Sequence, residues 1–266
     1  MAVWFALFKK ELRLGGLGFL IFLILQVFLM GVGVYFNYRS GSNAATAIMG
    51  VILTLSLLLY VPVYLLFNVI QERKTFHLWM QNPLPAWSML LTKLSGALIY
   101  FTGSLVVIGT YTWISLIRII DGSEGFSLFR VAILATLVLY WTAVGGGVNF
   151  LFLWTILRTM QSRIGKLAWV VLIIGIGVYT YIDTKLYQSG VIDALTHWGR
   201  IPESFFYHFL VPNGSAVPSG YLFKPTPNGS FSVDAMYIGS FVFDLLITGI
   251  LFLITTWLMD HELEAS

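Results

Sequence analysis

Residues 16–36 read Gly16-Leu-Gly-Phe-Leu-Ile-Phe-Leu-Ile-Leu-Gln-Val-Phe-Leu-Met-Gly-Val-Gly-Val-Tyr-Phe36, without one charged side chain. A helix of about 20 such residues spans the ~30 Å hydrocarbon core of a bilayer. The run has no period-two alternation, so it is not a strand of a closed barrel, and a helix is the remaining way to satisfy its backbone in lipid. Similar runs recur at 47–70, 94–117, 131–154, 167–182 and 236–258. They predict an all-α membrane protein of six transmembrane helices.

Composition agrees. Hydrophobic residues make up 58% of the 266 positions and charged residues 10%, with a mean hydropathy of +0.85. Soluble domains average about 25% charged residues, so a soluble fold is excluded. The net charge of +3 is spread over the loops and leaves no nucleic-acid footprint. With no cysteine there is neither a disulfide nor a thiolate metal site. No linker divides the chain, which reads as one transmembrane domain.

Basic residues near span ends set the orientation. With the N-terminus in the cytoplasm, Lys9, Lys10, Arg13, Arg73, Lys74, Lys93, Arg158, Arg163 and Lys166 fall inside. Arg39, Arg118, Arg130, Lys185, Arg200 and Lys224 fall outside, the last two in a long loop that counts little. Six spans return the C-terminus to the cytoplasm. The expected location is a cell membrane, of bacterial plasma-membrane type, crossed several times.

Ahead of the first span, residues 1–15 read as an amphipathic helix lying in the headgroup plane. Lys9, Lys10 and Arg13 cluster opposite Trp4, Phe5, Leu7, Phe8, Leu12 and Leu14. Glu11 falls within the apolar face and needs a partner, such as a basic residue of another segment. Gly15-Gly16 favours a bend over one long helix. On the other side of the membrane, residues 185–235 carry two expected short helices, 192–198 and 202–210, followed by Pro-Gly and Asn-Gly turns.

The one polar, proline-broken segment between long apolar runs is residues 71–93. Pro83 and Pro85 donate no backbone hydrogen bond and push Asn82 and Leu84 out of helical geometry. A helix descending from the second span therefore stops near Gln81, and a new one starts near Pro85 or Ala86. Phe76, Trp79 and Met80, then Trp87, Leu90 and Leu91, give each arm an apolar stripe. Glu72, Arg73 and Lys74 stand at the membrane exit. The product is an elbow whose tip, Gln81-Asn82-Pro83-Leu84-Pro85-Ala86-Trp87, projects into the cytosol.

This segment resembles the coupling-helix region of the type-2 ABC transporter permease family, the membrane subunits of ATP-driven exporters. The resemblance lies in Glu72-Arg73-Lys74, a turn bearing Pro83, and Leu90-Leu91-Thr92-Lys93 before the third span. It extends by layout over nearly the whole chain: a lead-in helix, six spans, a hinge between the second and third, and short outer helices before the sixth. The sequence departs from the family at Thr75-Phe76-His77-Leu78, where a Gly-Thr and a second acidic residue are usual, and in having Pro85. The small size is similar to permeases of Gram-positive exporters for antimicrobial or amphipathic peptides.

The resemblance implies a permease subunit moving a hydrophobic or amphipathic cargo outward. It implies two copies of an ABC ATPase subunit, which bind ATP and Mg and touch the elbow tip at Gln81–Trp87, and a second permease, identical or related. Membrane lipids are the remaining partner. The rival readings are a secondary transporter or channel without a motor, or an accessory membrane protein of immunity or signalling.

The chain itself offers no catalytic chemistry. No Gly-x-x-x-x-Gly-Lys-[Ser/Thr] loop occurs, so this chain is not expected to bind ATP. No His-Glu-x-x-His occurs, the four histidines are scattered, and neither a metal site nor a catalytic residue is expected. Asp244 is the clearest intramembrane carboxylate. It reads either as a polar point on the translocation route or a subunit contact, or as a boundary carboxylate reaching water or Lys185. Gln26, Asn68 and Asn149 are expected to hydrogen-bond between helices. Gly145-Gly146-Gly147 should allow close packing or a bend, and Pro62 should kink the second span.

Overall fold

The computed structural model describes residues 2–41, 44–72, 85–120, 127–201 and 237–265. In chain order the helices are α1 (Ala2–Ser40), α2 (Ala44–Ser56), α3 (Tyr60–Glu72), α4 (Ala86–Ile120), α5 (Leu128–Ile164), α6 (Ala168–Gln188), α7 (Val191–Thr196) and α8 (Ile238–Ala265). Among the described residues there is no strand, and all six predicted spans are helical. Five helical segments are long and apolar enough to cross a membrane: Trp4–Ser40, Ala44–Gln71, Ala86–Ile119, Leu128–Gln188 and Ile238–His261. The protein is therefore an all-α membrane protein. The fourth segment holds both the fourth and fifth predicted spans. A 3₁₀ turn at Gly165–Leu167 separates them, and Gly165 adopts a φ of 60°, which ends an α-helix and favours glycine.

The lead-in segment is not a separate helix. α1 runs unbroken through Gly15-Gly16 for 39 residues, about 58 Å at 1.5 Å per residue and well beyond the ~30 Å apolar core of a bilayer. The two glycines serve close packing. A Cβ at Gly15 would run into the Tyr64 hydroxyl, and one at Gly16 would stand 3.4 Å from Tyr100 Oη. Further along, a Cβ at Gly33 would lie 2.6 Å from Tyr111 Oη. Tyr100 and Tyr111 then donate hydrogen bonds to the Leu12 and Met30 carbonyls of α1. Small residues thus admit aromatic rings from neighbouring helices, the packing that association in lipid favours.

The chain forms two compact units, one of residues 1–121, 136–166 and 248–266, the other of 122–135 and 167–247. In the first, the core is built from Leu53, Leu57, Tyr60, Val61, Tyr64 and Leu65 against Leu94, Phe101, Ala143 and Leu151. Pro62 was expected to kink the second span, and what stands upstream of it is a change of helix type. The proline offers no N–H to the carbonyl four residues back, and the helix tightens into a 3₁₀ turn at Leu57–Leu59 between α2 and α3. The glycine run on α5 admits its neighbours closely: a Cβ at Gly147 would lie 2.7 Å from Leu94 and 2.9 Å from Val61, and one at Gly146 would lie 3.4 Å from Pro62.

In the second unit, α7 coincides with the first expected short helix; the second, 202–210, lies outside the described residues. The base of the 202–236 segment is closed by backbone pairing. Arg200 bridges Tyr237, and the Ile238 and Gly239 N–H groups donate to the Gly199 and Trp198 carbonyls at 3.1 Å. Gly239 is needed there, because a Cβ would strike the Thr196 carbonyl.

Candidate functional site: the exit of the elbow

α4 begins at Ala86, as Pro85 dictates. The Pro85 carbonyl accepts the first helical bonds, from Ser88 and Met89, while its own ring contributes no donor. One orphan donor of this first turn is satisfied from far along the chain. The Ala86 N–H donates to Asp260 Oδ1 of α8 at 3.2 Å. A carboxylate at a helix N-terminus is favourable for both hydrogen bonding and the helix dipole.

Two turns on, Lys93 is not an exposed hinge charge. It is 3% exposed, and its Nζ donates to both carboxylate oxygens of Glu11 at 3.2 Å. Glu11 is 1% exposed, and Asn68 Nδ2 of α3 also donates to it, at 3.4 Å. The partner that Glu11 needed is thus a cation of another segment, with an amide from a third. Burying either charge alone would carry a desolvation penalty of several kcal/mol; together, and hydrogen-bonded, they offset it. Among the three expected interhelical amides, Asn68 fits. Asn149 instead donates to the Gly145 carbonyl of its own helix at 2.9 Å, and the Gln26 Oε1 is buried without a partner among the described residues.

The arm after the elbow buries a different stripe from the one expected. Ala86, Met89, Leu90, Lys93, Leu94 and Ala97 face inward, while Trp87 and Leu91 are exposed. Lys93, paired with Glu11, lies on the inward face with these apolar residues, and Trp87 lies on the other. Trp87 is 53% exposed, in the first turn of α4.

Of the other predicted site residues, Gln81, Asn82, Pro83, Leu84, Arg73 and Lys74 lie outside the described residues, and for Glu72 the description reaches only its place at the end of α3. Asp244 lies on α8 in the second unit and is exposed. No ion pair joins it to Lys185 among the described residues; the Lys185 Nζ donates to Gln188 at 3.2 Å and lies 5.9 Å from the Tyr181 ring centre. The described histidines, His197 and His261, have local neighbours: Asp193 at 3.5 Å for the first and the Trp257 ring at 4.3 Å for the second.

Sequence reasoning missed the Asp260 contact, for which no local pattern exists. A signal was present for the ion pair: Glu11 on an apolar face and Lys93 inside an otherwise apolar arm. The start of α4 is thus bracketed by Glu11 of α1 and Asp260 of α8. Comparison with family models, with curated proteins and with solved structures finds no match.

Proposed function

We propose that this chain is the permease subunit of an ATP-driven exporter, crossing a bacterial plasma membrane six times with both termini in the cytoplasm. A separate pair of ATPase subunits drives it, and a second permease, identical or related, completes the path. The observation that carries the reading is the elbow exit. The helix that follows the predicted cytoplasmic handle is held at its start by residues from both ends of the chain, through Lys93–Glu11 and Ala86–Asp260. The positive-inside pattern puts those same three segments on one side. The proline-broken tip precedes a helix fixed in place by its neighbours, with Trp87 turned outward.

A sixth crossing is supported by the break at Gly165, on either side of which the 61-residue apolar stretch leaves a segment long enough to span. ATP binding brings the motors together and displaces the tip at Gln81–Trp87. The arms carry the displacement into α3 and α4 and open or narrow a path for a greasy or amphipathic cargo. Such coupling requires the tip's contacts to differ between motor states. Asp244 is a polar point on the route or at a subunit boundary.

A charge at the tip tests this. Leu84→Asp should leave insertion and expression intact and abolish stimulation of the ATPase by the permease. Undiminished ATP-driven export in Leu84→Asp membranes would overturn the assignment of the tip, and a motor-independent transporter would then be the better reading.

A further inference from the structure

We infer that the two ends of the chain are clamped to the first two turns of α4, so that α1 and α8 move with the start of that helix; that the motor moves it rests on the elbow reading above. The first two turns of α4 are gripped twice. At Ala86 the grip is the Asp260 carboxylate of α8 on the leading N–H, at 3.2 Å. At Lys93 it is the Glu11 carboxylate of α1, bonded through both oxygens and backed by Asn68 of α3. The two holds are made by residues from opposite ends of the chain on one short stretch of helix. They differ in strength: the Lys93 site is almost fully dry, with 3% and 1% exposure, whereas Asp260 is exposed.

A buried, bidentate pair is directional, because sliding α1 along α4 leaves two charges unpaired in an apolar surrounding. Apolar packing has no such restoring force in lipid, where one greasy contact replaces another at little cost. A pull on the elbow is therefore passed to α1 through Glu11 and to α8 through Asp260, not only along α3 and α4. Glu11, Lys93, Asn68 and Asp260 are positioning residues in this device; none touches cargo or nucleotide.

The chain has no cysteine, which allows clean labelling. Nitroxides placed by Arg13→Cys and His261→Cys, both exposed sites, report the distance between α1 and α8. The double-labelled protein, purified in nanodiscs with its co-purifying ATPase, is measured without nucleotide and with a non-hydrolysable ATP analogue. The clamp predicts that this distance is the same with and without nucleotide, because both labelled ends ride on one stretch of α4. It should become nucleotide-dependent in Glu11→Gln and in Asp260→Ala, and be fixed again in the swapped pair Glu11→Lys/Lys93→Glu. A distance that shifts with nucleotide in the chain carrying only the labels, or that stays fixed in a folded Glu11→Gln or Asp260→Ala protein, overturns the clamp while leaving the proposed function standing.

If no ATPase accompanies the chain, the proposed function fails, and the clamp is read from the chain alone. Thermal unfolding of Glu11→Gln, Lys93→Gln and the double variant then gives the pairwise interaction. The clamp predicts a double variant no less stable than either single one; additive losses overturn it.

Discussion

Glu11 and Lys93, 82 residues apart in sequence, share an ion pair of 3.2 Å in which both side chains are almost completely buried. The pair joins the helix that opens the chain to the helix that follows the proline-broken elbow. It lies on the face of α4 that turns inward. Through Asn68 it also involves the helix that enters the elbow. Everything proposed about the elbow depends on its exit being held in this way.

Removing one partner leaves an uncompensated charge in an apolar setting. Glu11→Gln and Lys93→Met should each cost about 3–5 kcal/mol. Replacing the whole polar set with apolar residues of similar size, Glu11→Leu/Asn68→Leu/Lys93→Met, should recover most of that loss. Unfolding of the purified chain in mixed micelles checks both expectations.

The Asp260 cap is weaker because it is exposed. Asp260→Ala should destabilise by about 0.5–2 kcal/mol, the usual value of an N-terminal cap, and Asp260→Asn should retain much of the effect. Amide hydrogen exchange at Ala86–Met89 is the local readout: exchange should quicken in the alanine variant and stay near wild type in the asparagine one.

Close approach of α1 and α3 depends on the absence of a side chain at one position. Gly15→Ala forces Tyr64 to move and should cost about 1–3 kcal/mol, as over-packed sites do. Tyr64→Phe in the same chain removes the hydroxyl that the new methyl would meet first, and should return part of the loss. Gly31→Ala, with nothing within 4 Å of the added carbon, should be close to neutral on the same unfolding assay.

These cases show what could be read from residue order alone. The apolar runs announced six helical stretches, because lipid leaves the backbone few alternatives. Pro85 announced the start of α4, and Pro62 the disturbance of the second span, because both effects are covalent and local. The continuous course of α1 was not legible. Gly15-Gly16 looks the same whether glycine permits a bend or admits a tyrosine from another helix, and only the position of Tyr64 decides. The outward turn of Trp87 was equally hidden, since a stripe of Trp87, Leu90 and Leu91 is as regular as the true one. The decisive residue was the charged Lys93, whose burial required a partner 82 residues away. Asp260 had no local pattern at all: a helix-terminal carboxylate looks like any solvated charge until the helix it caps is known.

Sidedness is open to direct measurement in a chain without native cysteine. Single cysteines at Lys10, Trp87 and His261 should react with a membrane-impermeant maleimide only in inside-out vesicles. Cysteines at Tyr38 and Ser189 should react in right-side-out cells. Labelling of Trp87→Cys from the outer face would reverse the topology and remove the elbow from reach of any cytoplasmic motor.

The central claim is that a separate ATPase drives this chain through its elbow. Its most direct test is purification of the tagged full chain from its native membrane in mild detergent, with quantification of bound nucleotide-hydrolysing protein and of the ATP turnover it supports. The account predicts an ATPase present at one copy per permease chain and lost, with its activity, from the Leu84→Asp protein. A folded, monodisperse preparation carrying no ATP-hydrolysing partner would contradict it.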